Sequence, residues 1–272
     1  MEQNTYGFIG LGLIGGSLAK ALKRTDPSCR ILAYTRTRAT LEEALKAQAV
    51  DAACSSVDDP QFATCSCIFL CAPVATNISA LRVLKDIVSP DCILTDVGSV
   101  KAMVREQVKA VGLEHCYVGA HPMAGNELSG WESSDPTLYD GALWAITVDE
   151  NTEYQRFRAV ATMIVDHCSN RLIVLDDATH DRCAALISHM PHVISTAMIN
   201  ELVANPNRNI AAALAAGSWR DMTRVALTDP NRTRAMVEED AANVEALLRN
   251  MANRLTLMAN VLHGMTTQQG SP

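Results

Sequence analysis

Aromatic side chains are scarce in this sequence, at 4% of 272 residues. That shortage speaks against a β-sandwich core and against the stacking platforms that hold single-stranded nucleic acid. Basic runs are missing as well: the formal net charge is −7, so neither nucleic acid nor an anionic membrane surface is expected as a partner. No stretch approaches the roughly 18 uninterrupted apolar residues of a membrane-spanning helix. The opening Met1-Glu2-Gln3-Asn4-Thr5 has neither the basic segment nor the apolar run of a signal peptide, and a soluble, cytoplasmic protein is expected. The nine cysteines are odd in number and form no C-x-x-C pair, so they read as reduced interior thiols and not as a disulfide or metal framework. Internal repeats and low-complexity linkers are absent too, and no lysine follows Lys109.

What is present is aliphatic: 48% of the residues are hydrophobic, a composition suited to α/β and helical packing. Short β-like runs at 6–10, 30–34, 68–72, 92–96, 117–120, 142–148 and 172–175 alternate with helical stretches starting near 13, 40, 78, 100 and 153. This alternation predicts a mostly parallel sheet with helices on both faces. After Asp176 the strand signal stops and helical spacing takes over. The expected organisation is a doubly wound, Rossmann-type α/β domain over 1–176 and an all-helical domain over 177–272. Val244, Leu247, Leu248, Met251, Leu255, Met258 and Leu262 mark one face of the last long helix, a stripe that serves equally as core or as a dimer seam.

The segment Gly10-Leu11-Gly12-Leu13-Ile14-Gly15 follows the first apolar strand and opens a helix, which is the context that gives a G-x-G-x-x-G pattern its meaning. Gly10 permits the tight turn, Gly12 lets the backbone approach a pyrophosphate, Gly15 allows close helix–strand packing, and the helix start offers free N–H groups to phosphate. At the end of the second strand an NAD site usually carries an acid for the ribose hydroxyls. Here the chain reads Tyr34-Thr35-Arg36-Thr37-Arg38. The missing acid and the two guanidinium groups favour the 2′-phosphate of NADP over NAD. The expected cofactor positions are Gly10, Gly12, Leu13, Ile14, Gly15, Thr35, Arg36 and Arg38, with Ala72 and Pro73 beyond the strand at 68–72.

Four further segments carry the chemistry: Asp96-Val97-Gly98-Ser99-Val100-Lys101, His121-Pro122-Met123-Ala124-Gly125-Asn126-Glu127, Ser188-His189-Met190-Pro191-His192 and Arg220-Asp221-Met222-Thr223-Arg224-Val225-Ala226. With the glycine loop, and in this order, they resemble the prephenate/arogenate dehydrogenase family of tyrosine biosynthesis, from about residue 7 to about residue 230. The resemblance implies an oxidative decarboxylation: hydride leaves C4 of a cyclohexadienol to NADP or NAD, the hydroxyl loses a proton, carbon dioxide departs and the ring aromatises. Prephenate is the expected substrate and arogenate the alternative.

His121 matches the family's catalytic histidine, and a neutral imidazole is a competent base near neutral pH. It is expected to end the short strand at 117–120. Ser99 matches a serine that hydrogen-bonds near the substrate hydroxyl, and on sequence alone it equally suits the N-cap of a helix starting near Val100. Arg224 matches the arginine that grips the substrate carboxylate. His192 is placed near the substrate side chain as a donor to a keto or carboxylate oxygen. His189 and Ser188 support the pocket, and Glu127 matches an acid at its edge.

Asp96 and Lys101 read as loop architecture. His189 and His192 lie three apart, but no third ligand clusters with them and no metal is expected. Thr233 stands where many relatives carry an aromatic residue, so contacts made there do not transfer. The resemblance also implies a homodimer. Two rivals fare worse: a catalytically silent redox sensor predicts loss of Ser99, His121 and Arg224, and a 3-hydroxyacid dehydrogenase needs a lysine in the helical domain.

Overall fold

The computed structural model describes residues 4–126 and 128–268, and divides into two compact units, one running to His180 and the other beginning at Asp181. In the first unit the elements alternate from the start: β1 (Thr5–Ile9), α1 (Leu13–Thr25), β2 (Arg30–Tyr34), α2 (Arg38–Lys46) and a two-residue β3 (Ala52–Ala53). They continue as β4 (Cys67–Leu70), α3 (Val74–Leu84), β5 (Ile93–Asp96), α4 (Ala102–Val111), β6 (Tyr117–Met123), β7 (Leu143–Thr147), α5 (Tyr154–Cys168) and β8 (Arg171–Leu175). The eight strands form one sheet in the order β3-β2-β1-β4-β5-β6-β7-β8. Every neighbouring pair is parallel except β6 and β7.

The period of two along each strand builds two cores. Phe8, Ile31 and Phe69 point to the face covered by α1, α2 and α5, packing with Leu18, Leu22, Leu41 and Ile164. Their neighbours Ile9, Leu32, Ile68 and Leu70 point to the opposite face, where Leu81 and Leu84 of α3 and Val104 and Val108 of α4 cover them. Burying one such leucine completely contributes roughly 1.5–3 kcal/mol. The doubly wound fold expected from the sequence is thus realised, with the strand order reversing between β1 and β4, where such sheets leave a crevice for ligands.

The local differences have physical reasons. Helix α3 begins at Val74, not near 78, because Asn77 does not break it. That buried side chain turns back and donates to the carbonyls of Leu70 (3.1 Å) and Ala72 (2.8 Å) while accepting from the Ala72 N–H (3.2 Å). Strand β6 continues through His121 and Pro122 to Met123, because β7 pairs antiparallel with it there, His121 opposite Ala145 and Met123 opposite Leu143. The ladder to β5 ends at Val118. One side of β6 is then free of a strand partner, the setting in which proline is tolerated. Helix α4 starts at Ala102 with Lys101, not Ser99, as its N-cap residue.

At the end of β5 the Asp96 carboxylate is completely buried and gathers four donors. These are the Tyr117 hydroxyl (2.7 Å), the N–H groups of Gly98 (3.0 Å) and Ala120 (3.3 Å), and the equally buried Lys101 ammonium. Lys101 also donates to the Ala120 carbonyl at 2.8 Å. The pair therefore joins β5, β6 and the loop between β5 and α4. Burial first, and the adjacent carboxylate second, hold the Tyr117 phenol protonated.

From α6 (Asp177–Ala184), which runs across the boundary between the units, all described elements are helical. Helix α6 passes into a π-helical turn, Ala185–His189, and then α7 (Met190–Ala204). Next come α8 (Arg208–Leu214), α9 (Gly217–Thr223), a short 3-10 turn Arg224–Leu227, α10 (Pro230–Glu239) and α11 (Ala241–Gln268). Along α11 the apolar stripe is buried at Val244 but exposed at Leu255, Met258 and Leu262. Among the described residues no helix is long and apolar enough to cross a membrane.

Asp96→Ala should lower stability by about 3–5 kcal/mol, because it removes the carboxylate that the buried Lys101 ammonium pairs with. The double variant Asp96→Ala/Lys101→Met should recover part of that loss. Urea unfolding checks both, and a loss below about 1 kcal/mol for Asp96→Ala would show that the pair does not hold this region together.

Candidate active site

The loop from β1 to α1 shows why glycine is needed at three positions, each for a different reason. Gly10 has φ of +101°, and a Cβ there would sit 2.8 Å from the Ala72 nitrogen. The β1 and β4 loops are thereby packed backbone against backbone. A Cβ on Gly15 would lie 2.3 Å from the Gly10 carbonyl oxygen and 2.8 Å from the Cys71 Cβ, so α1 docks directly on β1 and β4. Gly12 is the opposite case: a Cβ would meet nothing within 4 Å.

Gly12 is also the N-cap residue of α1, where no side-chain cap is formed. An open, uncapped helix start with room beside its backbone fits a pyrophosphate, whose oxygens would accept from the N–H groups of the first turn. Leu13 and Ile14 begin that turn. The buried Tyr139 fixes it from behind by donating its hydroxyl to the Ile14 carbonyl at 2.6 Å. Ala72 and Pro73 border the same crevice from β4, Ala72 being held by Asn77. At the end of β2, Thr35 is half-buried and Arg36 is exposed. Arg38 opens α2 and pairs with Glu42 at 2.9 Å, both side chains largely in solvent.

His121 stands on β6 three residues past the last residue paired with β5, so it overhangs the carboxyl end of the parallel sheet. The loop that follows reaches the cofactor crevice, since a Cβ on Gly125 would come within 3.9 Å of the Ile14 side chain. The Nδ1 of His121 lies 2.9 Å from Nε2 of His180, with ring centroids 5.1 Å apart and planes at 68°. His180 belongs to the first turn of α6, whose start is anchored by the ion pair between Asp177 and the buried Arg105. Arg105 also donates to the Thr147 carbonyl at 2.9 Å. Ser99 is half-buried in the loop that wraps the Asp96 carboxylate. Gly98 beside it eases the close approach, since a Cβ would lie 3.0 Å from Asp96 Oδ2. Glu127 lies outside the described residues.

The remaining candidates belong to the second unit. His189 is completely buried in the π-helical turn and bonds Asp240 at 2.8 Å through Nδ1. Asp240 also accepts from Asn243 at 2.7 Å, so His189 locks the π turn to the start of α11. Ser188, in the same turn, is half-buried and its carbonyl accepts from Nδ1 of His192 at 2.9 Å. With a hydrogen on Nδ1, neutral His192 presents a lone pair at Nε2, 3.4 Å from the Thr228 hydroxyl. The expectation that His192 donates to a keto or carboxylate oxygen is therefore met only by its imidazolium form. His189 and His192 turn to different partners and do not converge on a common point. Arg224 is exposed at the head of the 3-10 turn, and Arg220 is exposed on α9.

Sequence reasoning missed His180, Asn77 and Tyr139. Only His180 left a usable trace, an imidazole at the start of the helix after the last strand.

A family model described as the prephenate dehydrogenase nucleotide-binding domain matches residues 18–174, and one described as its dimerization domain matches residues 176–269. The chain is similar to the prephenate dehydrogenase of Bacillus subtilis, 28% identical over 233 residues. That alignment covers 84% of this chain but only 62% of the relative's length. Among solved structures it resembles prephenate dehydrogenase from A. aeolicus in complex with hydroxyphenyl propionate and NAD+, at a TM-score of 0.91 and 26% identity, covering 99% of this chain and 94% of that one. It also resembles Synechocystis arogenate dehydrogenase, at a TM-score of 0.83 and 26% identity over 97% and 94% of the two chains.

Gly12→Ala should fold with an unchanged unfolding temperature yet weaken dinucleotide binding by about tenfold or more, because its methyl enters only the space a pyrophosphate needs. Gly15→Ala should instead lower the unfolding temperature. Thermal unfolding and a fluorescence titration with reduced dinucleotide separate the two, and full affinity in Gly12→Ala would refute the cradle.

Proposed function

The chain belongs to the prephenate dehydrogenase family, and from that premise we propose that it oxidatively decarboxylates prephenate to 4-hydroxyphenylpyruvate and carbon dioxide. The observation that carries the reading is the place of His121. It overhangs the carboxyl end of the sheet, its Nδ1 is tied to His180, and the loop behind it reaches the start of α1. When bound, the nicotinamide supplies the acceptor for the C4 hydride. The protein's task is then to orient the ring and to accept one proton.

Nε2 of His121 takes the proton of the C4 hydroxyl as the C–H bond breaks. The electron pair of the bond to the leaving carboxylate moves into the ring, which becomes aromatic as carbon dioxide departs, and the phenolate so formed takes the proton back from the His121 imidazolium. Ser99, in the loop anchored by Asp96, orients the hydroxyl. Arg224 holds a substrate carboxylate with its planar fork. Ser188 and His192 line the side-chain end, and His189 holds their turn in shape. Glu127 is assigned to the pocket edge from its motif.

For the cofactor we propose NADP before NAD. No acid ends β2, and Arg36 there is exposed and suited to a 2′-phosphate. Arg38 contributes less, since Glu42 already balances it. One observation favours arogenate as a second reading: the Nε2 lone pair of neutral His192 suits the ammonium of an amino side chain better than a keto oxygen. We assign dinucleotide binding to the first unit, and substrate binding and homodimerisation to the second, where the exposed apolar half of α11 provides the seam. The nine cysteines are free thiols, seven of them buried, which fits a reducing compartment and a cytoplasmic enzyme.

His121→Asn should reduce kcat on prephenate by about 100-fold or more while leaving dinucleotide affinity nearly unchanged. Steady-state kinetics and a binding titration check this, and undiminished turnover would remove His121 as the base.

A further inference from the structure

We propose that His180 is a positioning residue that sets the tautomer of His121, holding the hydrogen on Nδ1 so that Nε2 carries the lone pair. The proposal rests on His121 being the base. The two imidazoles meet at 2.9 Å, Nδ1 to Nε2. Two neutral rings in this contact share a single hydrogen, so one donates and the other accepts.

Were His180 the donor, Nε2 of His121 would carry the remaining hydrogen and could take no proton from a substrate hydroxyl. With His121 as donor, Nε2 is left basic. The near-perpendicular rings, at 68°, let the N–H of one aim at the in-plane lone pair of the other. His180 is only 3% exposed, so water does not compete for that lone pair. The device resembles the orienting acid of a hydrolase triad, with a neutral acceptor in place of a carboxylate.

The elements around the pair hold it in register. Arg105, on α4, bonds Asp177 at the start of α6 and the Thr147 carbonyl on β7. Lys101 bonds the carbonyl of Ala120, the residue before His121. His180 and His121 are thus each fixed through the backbone of their own element, and the contact between the rings does not depend on a flexible loop.

The test labels the imidazole nitrogens of the full chain with nitrogen-15, assigns His121 by its loss in His121→Asn, and reads which nitrogen is protonated from the two-bond couplings. The wild-type protein should show His121 protonated on Nδ1 at a pH where the ring is neutral. In His180→Phe that signature should shift toward Nε2–H, and kcat should fall roughly 10- to 100-fold with KM values changed by less than about threefold. His180→Gln, whose side-chain oxygen can accept the same hydrogen, should restore the Nδ1–H signature and most of kcat. A wild-type His121 protonated on Nε2, or a His180→Phe variant with full kcat, overturns the proposal. If prephenate is not turned over at all, the reaction assigned above fails, while the spectrum still decides the tautomer. If His180→Phe does not fold, the wild-type spectrum and His180→Gln decide it.

Discussion

A carboxylate and an ammonium, both sealed from water where β5 ends, organise the catalytic half of the first unit. Removing two charges from water costs several kcal/mol per ion, and such a pair persists only when further hydrogen bonds satisfy it. Asp96 meets that condition with Tyr117, Gly98, Ala120 and Lys101 around it. The consequence is geometric. The loop that carries Ser99 is folded around one oxygen, the strand that carries His121 is fixed by its neighbour Ala120, and the two proposed reacting side chains take their places from the same buried charge.

The cofactor crevice rests on a different economy, that of missing side chains. Gly10 and Gly15 are forced by close backbone packing, so they would be needed in an empty fold of this kind. Gly12 is not, since space is open beside it. Open space beside Gly12 at the uncapped start of α1 leaves room for an anionic group against the free N–H groups of the first turn. Next to β2 the chain carries the exposed Arg36 and no acid, the feature on which the proposed preference for NADP rests.

Much of this was legible in the residues because periodicity and glycine spacing are local signals. The strand–glycine–helix context, the helical region after Asp176 and the segment around His121 all lie within short windows. What was not legible depends on partners distant in the chain. The strand expected over 117–120 continues to Met123 because β7 pairs with it there. The helix expected from near 78 begins four residues earlier, and the Asn77 side chain inside it turns back to Leu70 and Ala72. His180 lies 59 residues from the imidazole it touches. His192 was read in the sequence as a donor toward the substrate side chain, and only the structure reveals that its Nδ1 already donates to the Ser188 carbonyl. The stripe on α11 was visible as a pattern, but periodicity does not reveal that Val244 is covered and Leu255, Met258 and Leu262 are not.

The central claim is a reaction, and the most direct measurement is a two-by-two assay of the purified protein with prephenate or arogenate and NADP+ or NAD+. Reduced dinucleotide, aromatic product and carbon dioxide are followed together. The account predicts turnover of prephenate with one carbon dioxide per reduced dinucleotide, and a higher kcat/KM with NADP+ than with NAD+. Oxidation of arogenate alone would contradict the assigned substrate, and no turnover in any of the four combinations would contradict the reaction itself.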